Sequence, residues 1–242
     1  MTALDDLRRD IDAIDDQLLN LIDRRVEIGR EIARAKGPNG GPFLRPGREA
    51  AILRRLSQQA RPPLSASLIG RIWREILISN LAQQTAVTVA FSGGDGVHLL
   101  VRDHFGSSAQ VTPLDDTPAV VDAVASGRVF LGVIALRNDD PSRPWWRHLL
   151  QMDKPSQQPR VISRLPFFAN GGALEAVVIA GFDSDASGDD ISFYADCGGA
   201  EADWQIHEIS GHPQDQDHRP PAGDNAIYLG TYPQPLSQAT AI

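Results

Sequence analysis

A single cysteine, Cys197, rules out an internal disulfide. No apolar run reaches the roughly 18 residues that a bilayer crossing needs. The opening MTALDDLRRD lacks the apolar stretch of a secretory signal, so the cytoplasm is the expected compartment and no membrane is expected as a partner. Basic residues become scarce after residue 84: residues 85–242 carry 9 Arg and Lys against 20 Asp and Glu, whereas residues 1–84 carry 14 against 11. So acidic a C-terminal part argues against nucleic acid as a partner. His207, His212 and His218 fall in a stretch rich in Gly, Pro and Gln without the spacing of a metal site, and no metal is expected. What remains, 42% hydrophobic and 22% charged residues, is ordinary for a globular protein.

Residues 4–36 contain no proline, and only Gly29 weakens a continuous helical pattern. Leu4, Leu7, Ile11, Ile14, Leu18 and Leu21 recur at spacings of three and four, and Ile28, Ile32 and Ala35 follow. The pattern predicts one helix on the order of 50 Å long at about 1.5 Å per residue. Two short neighbours from the same chain cannot bury so long a stripe, so the helix is expected to pair with a second copy. Gly37-Pro38-Asn39-Gly40-Gly41-Pro42 stops it. A second helix is predicted over 46–60 with Pro46 in its first turn, and a third over 65–84 with Ser65 as N-cap.

At Thr85 the pattern changes. Strands are predicted at 87–91, 129–136, 161–168 and 176–180, and helices at 98–104 and 119–126, which together read as α/β structure. Gly93-Gly94-Asp95-Gly96 reads as a strand-to-helix turn, and Trp145-Trp146 as packing or an interface. Beyond Asp183, short strands at 191–194, 204–209 and 226–232 alternate with loops, and 211–224 is expected to be a mobile loop.

The helical part collects polar residues of one kind. Arg8, Arg24 and Lys36 lie on the first helix, Arg48 and Glu49 open the second, and Ser79 and Gln83 share a face of the third. Taken singly, each has a plain reading: Arg24 as solvated surface, Lys36 and Glu49 as complements to helix dipoles, Ser79 and Gln83 as a strip facing water. In order, however, LRRDIDAIDDQLLNLIDRRVEIGREIARAK, RPGREAAILRRL and ILISNLAQQ resemble the all-helical chorismate mutases over nearly all of residues 1–84. That resemblance implies an all-α three-helix module in a dimeric bundle, with active sites shared between two copies. It further implies that Arg8 holds a substrate carboxylate in the partner's site and that Arg24 holds another in its own. Lys36 and Gln83 would donate to the ether oxygen of the breaking bond, Arg48 would line the pocket, Glu49 would accept from the substrate hydroxyl, and Ser79 would contact a carboxylate. One departure is Arg45, where the family often has Asp.

These residue types suit the implied chemistry. Rearranging chorismate to prephenate is concerted and needs no nucleophile, proton transfer or cofactor. The dianion must be held bent, which planar guanidinium forks do well. Donors aimed at the ether oxygen stabilise the charge that grows there in the transition state.

From Val87 onward the chain resembles prephenate dehydratase, through Val89-Ala90-Phe91-Ser92-Gly93-Gly94-Asp95-Gly96 and through Leu131-Gly132-Val133-Ile134-Ala135-Leu136-Arg137-Asn138. Where that family carries Thr-Arg-Phe, this chain reads Leu174-Glu175-Ala176-Val177, and only eight residues stand between Leu165 and Leu174 in place of a second lobe. Ile206-His207-Glu208-Ile209-Ser210-Gly211-His212-Pro213 and Tyr228-Leu229-Gly230-Thr231-Tyr232-Pro233 resemble remnants of the phenylalanine-binding ACT domain. The expected organisation is a mutase module at 1–84, a degenerate dehydratase-like α/β domain at 85–182 and an ACT-like remnant, partly loop, at 183–242. The expected activity is chorismate mutase without dehydratase activity, in a homodimer. The alternative is a non-catalytic dimeric regulator that binds a small ligand or a shikimate-pathway enzyme.

Overall fold

The computed structural model describes residues 2–37, 41–136, 144–150, 158–169, 172, 174–197, 204–221 and 226–237. Three helices come first: α1 (Ala3–Lys36), α2 (Pro46–Gln59) and α3 (Ala66–Ala82). Thr2 starts α1 with a reciprocal cap, its hydroxyl accepting from the Asp5 amide while the Asp5 carboxylate accepts from the Thr2 amide at 2.9 Å. Ser65 caps α3 by accepting from the Leu68 amide at 3.2 Å. α3 ends at Ala82, so Gln83 and Gln84 follow the helix proper.

α1 touches the rest of the chain only toward its C-terminal end. Its single buried residue is Gly29, where a β-carbon would stand 2.5 Å from the Asn80 side chain of α3. The glycine that weakens the helical pattern is therefore the point where α1 crosses α3 closely. Leu4, Leu7, Ile11, Ile14, Leu18 and Leu21 are each more than half exposed. Exposed apolar surface of that extent is uncommon on a monomeric protein.

The second part is built on an eight-stranded sheet in the order β2-β1-β3-β6-β4-β9-β7-β8. Its strands are β1 (Thr88–Phe91), β2 (Gln110–Pro113), β3 (Leu131–Ala135), β4 (Arg160–Leu165), β6 (Ala176–Ala180), β7 (Asp190–Cys197), β8 (Trp204–Ser210) and β9 (Ile227–Pro233). β5 (Phe168–Ala169) and β10 (Leu236–Ser237) form a separate small pair. Helices α4 (Gly94–Phe105), α5 (Thr117–Ala125) and α6 (Arg147–Leu150) cover the sheet. β1, β2 and β3 are mutually parallel, while β6 runs antiparallel between β3 and β4.

Alternate residues of the central strands feed two cores. Val89, Phe91, Leu131, Val133 and Val178 face α4, and Ala90, Ile134, Val177 and Ile179 face α5 and the Trp145-Trp146 pair. Burial on both faces explains why these strands read as continuous apolar runs. Ile78 and Leu81 of α3 belong to the first core, and Phe167 packs with Ala50 and Leu53 of α2. The helical module and the sheet domain thus share their apolar interior.

Two details depart from the sequence reading. β2 was not expected, because Gln110-Val111-Thr112-Pro113 is an exposed edge strand without an apolar alternation. Residues 211–221 are not a free loop: His212 is buried and its Nε2 donates to the Ser184 carbonyl at 3.1 Å, and its amide donates to Asp215 at 2.7 Å. His218 meets the Tyr194 hydroxyl at 2.9 Å, so these histidines are bound up in local packing. Residues 222–224 of that loop, and Arg137-Asn138 of the dehydratase-like segment, lie outside the described residues.

His104 sits buried on α4 against the side of α3, and burial first, then the nearby Arg74 charge, hold its imidazole well below the ordinary range. The folded protein therefore keeps His104 neutral while the unfolded chain takes up a proton below about pH 6.5. The contribution of His104 is present above that pH and is lost as pH falls toward the depressed folded value. Thermal melting of the parent and of His104→Leu should show the parent losing more stability between pH 7 and pH 5. Parallel losses would contradict this.

Candidate functional site

A polar cavity of about 770 Å³ lies between the C-terminal half of α1, the start of α2 and the end of α3. The helix geometry explains which residues reach it. Arg25, Gly29, Ile32 and Lys36 recur at three- and four-residue steps along one face of α1. Arg48, Glu49, Ile52 and Arg55 of α2, with Arg45 at its N-cap, do the same, as do Trp73, Leu77, Asn80 and Leu81 of α3, with Gln84 just beyond its end. Asp185, from the connection between β6 and β7, closes one side.

Glu49 is the electrostatic centre of this wall. Its carboxylate accepts from Arg74 Nη1 at 2.9 Å, and both side chains are nearly buried. Burial raises the Glu49 carboxyl above the usual range; the Arg74 charge opposes this, Asp185 adds to it and Arg25 opposes it. Arg74 is held on its other side by the face of Phe167, 5.3 Å from the ring centre. Burial lowers Arg25, the Glu49 charge raises it and Arg48 lowers it. Arg25 Nη1 and Asn80 Oδ1 are buried without a partner among the described residues. Buried unpaired donors and acceptors are costly, and at a cavity wall they mark where a polar ligand fits.

Of the residues named from sequence, Lys36, Arg48 and Glu49 line this cavity. Arg24, Ser79 and Gln83 do not line it in one chain. Arg24 is exposed and pairs with Glu27 at 3.1 Å, and Gln83 accepts from Arg30 at 3.0 Å. Ser79 is exposed on α3. Their immediate neighbours Arg25, Asn80 and Gln84 take the inward positions; for Arg25 and Asn80 this follows because one residue along a helix turns the side chain by about 100°, while Gln84 stands in the turn after α3. Arg8 lies near the far end of α1, exposed and 3.9 Å from Asp5. About 25 Å of helix separates Arg8 from Arg25, so it cannot reach the cavity of its own chain.

Sequence reasoning missed Arg74, Arg25 and Asp185. Arg74 reads as one more charge on a mixed helix, and only its burial gives it away. The Arg24-Arg25 pair offered no signal for choosing between its members.

Comparison with known proteins places these features. Residues 7–85 match the chorismate mutase type II family. The bifunctional chorismate mutase/prephenate dehydratase of Pseudomonas aeruginosa is 35% identical over 139 residues, covering 54% of this chain and 38% of that protein. The aligned stretch is longer than the helical module, so the similarity continues into the sheet domain, although this chain spans well under half of that relative. Among solved structures, the quorum-quenching acylase GqqA superposes with a TM-score of 0.43 at 14% identity, over 62% of this chain and 96% of that chain. Prephenate dehydratase from Streptococcus mutans superposes with a TM-score of 0.38 at 12% identity, over 60% of this chain and 97% of that chain. No helix among the described residues is long and apolar enough to cross a membrane. The match to the chorismate mutase type II family falls on the helices that enclose the polar cavity.

Proposed function

We propose that the chain is a chorismate mutase that converts chorismate to prephenate in a cytoplasmic homodimer. The observation that carries this reading is the convergence of Lys36, Arg48 and Glu49 on one polar cavity within the segment that matches the family. In the rearrangement one C–O bond breaks as one C–C bond forms, and the electron pair shifts within the substrate alone. The protein's contribution is to hold the bent dianion and to favour the charge growing on the ether oxygen. Lys36 donates to that oxygen, with Gln83 as the second donor. Arg48 lines the polar pocket, Glu49 accepts from the substrate hydroxyl and Ser79 contacts a carboxylate.

The second carboxylate is held by Arg8 of the other copy. The exposed stripe of α1 supports the dimer, because a second copy of the same stripe covers it and brings the distant Arg8 to the partner's cavity. For the first carboxylate the family resemblance favours Arg24, while the buried unpaired Nη1 favours Arg25. Separate Arg24→Ala and Arg25→Ala variants decide this, since only the one that holds the substrate should raise KM strongly.

We also propose the division at 84/85 and 182/183 and the absence of dehydratase activity. β4 and β6 are adjacent antiparallel strands, which leaves little chain between them for a second lobe. The simplest test mixes purified protein with chorismate. Ultraviolet absorbance should fall at a rate proportional to protein concentration, with prephenate and no phenylpyruvate as product. Absorbance that persists overturns the mutase reading, and phenylpyruvate overturns the second one.

A further inference from the structure

The helical module does not complete its cavity alone. The N-cap residue of α2, Arg45, gives no side-chain hydrogen bond to the first turn, leaving amides there without an acceptor of their own. The acceptor comes from the sheet domain. Asp185, 138 residues from Gly47 in sequence, accepts from the Gly47 amide at 3.0 Å and from the Arg48 amide at 3.1 Å. The same carboxylate meets Arg45 Nε at 3.1 Å. A carboxylate at this place satisfies orphan donors and complements the positive end of the helix dipole.

The approach is close. A β-carbon on Gly47 would stand 2.2 Å from the Asp185 carbonyl oxygen, so only glycine lets the two backbones meet. About two turns further on, Arg54 donates to Ser187 Oγ at 2.8 Å, to the Asp189 carbonyl at 2.7 Å and to the Gln234 carbonyl at 3.0 Å. Arg48 and Glu49 thus project from a turn whose amides are fixed by the other domain.

We infer that Asp185 is a positioning residue for the mutase site, capping α2 from the sheet domain so that Arg48 and Glu49 stay on the cavity, and that rearrangement by this chain depends on its second domain. The inference rests on the mutase reading above. It differs in sign from a purely electrostatic effect: Asp185 is an anion beside a site for a dianion, so a role through charge alone would make its removal tighten substrate binding.

The test uses the full-length protein. Asp185→Ala should lower kcat about tenfold, the scale of one lost cap. It should also speed hydrogen exchange at the Gly47 and Arg48 amides. Asp185→Asn keeps an acceptor oxygen and should recover most of kcat and of the exchange protection. If Asp185→Ala does not fold, Asp185→Ser, which retains one acceptor, should show a severalfold fall in kcat with the same faster exchange. An unchanged kcat in a folded variant, or a lower KM as the only effect, overturns the inference. A parent protein that leaves chorismate intact overturns the mutase reading instead, so the two failures are distinct.

Discussion

Lys36→Ala should lower kcat for chorismate rearrangement by a factor of about a hundred to a thousand, the usual cost of one donor to a developing oxyanion. Lys36 is the last residue of α1 and lines the cavity from there. An ammonium already at the cavity wall stabilises the charge that grows as the C–O bond breaks more than it stabilises the ground state. The loss should fall mainly on kcat, because the ether oxygen is only weakly charged in the bound substrate. A fall confined to KM would assign Lys36 to a substrate carboxylate instead. Melting and gel filtration of the variant should match the parent, since the Lys36 side chain makes no hydrogen bond or ion pair among the described residues.

The second large effect concerns Arg74. Breaking one side of a buried ion pair leaves a carboxylate without its partner, at a cost of about 3–5 kcal/mol while Glu49 remains ionised. Against a total stability of roughly 5–15 kcal/mol this is severe, and Glu49 relieves it by taking a proton. The charged groups facing Glu49 are Arg25 from α1, Arg74 from α3 and Asp185 from the sheet domain, with Arg48 beside it on α2. Burial already raises the Glu49 carboxyl, and Arg74→Gln takes away the strongest influence holding it down. If the substrate hydroxyl needs a carboxylate acceptor, activity exists above the Glu49 titration and is lost as pH falls through it. The acid limb of kcat/KM should therefore move to higher pH in Arg74→Gln and partly return in Arg74→Lys. A uniform drop at every pH would reduce Arg74 to a structural role.

Much of this molecule is legible in its sequence, and the limits have physical causes. The three helices follow from long runs of three- and four-residue spacing, with stops at Gly37 and Pro62 that depend on nothing distant. The central strands were visible because burial on both faces leaves no polar interruption. β2 was hidden because an edge strand needs no such pattern. Nothing local shows that β9 pairs with β4, so strands on both sides of residue 183 lie in a single sheet. Lys36, Arg48 and Glu49 were readable as a constellation through the resemblance of the three helical segments to the all-helical chorismate mutases, since periodicity within one helix says nothing about residues on two. Arg25 against Arg24 turns on a single residue of helix rotation, which α1 fixes only by its packing on Asn80, and Gln84 against Gln83 depends on how the chain turns after the end of α3. The Arg74–Glu49 and Asp185–Arg45 pairs could not be read at all, because each joins residues that only the folded chain brings together.

The central claim is that two copies of this chain build each cavity, with Arg8 from one and Lys36 from the other. Arg8→Ala and Lys36→Ala proteins, each nearly inactive alone, can be unfolded together and refolded as a mixture. Half of the dimers then contain one chain of each kind, and every such dimer holds one intact site beside one doubly altered site. Chorismate turnover should recover to about a quarter of the parent value per chain. A mixture no more active than its two components would contradict the shared site.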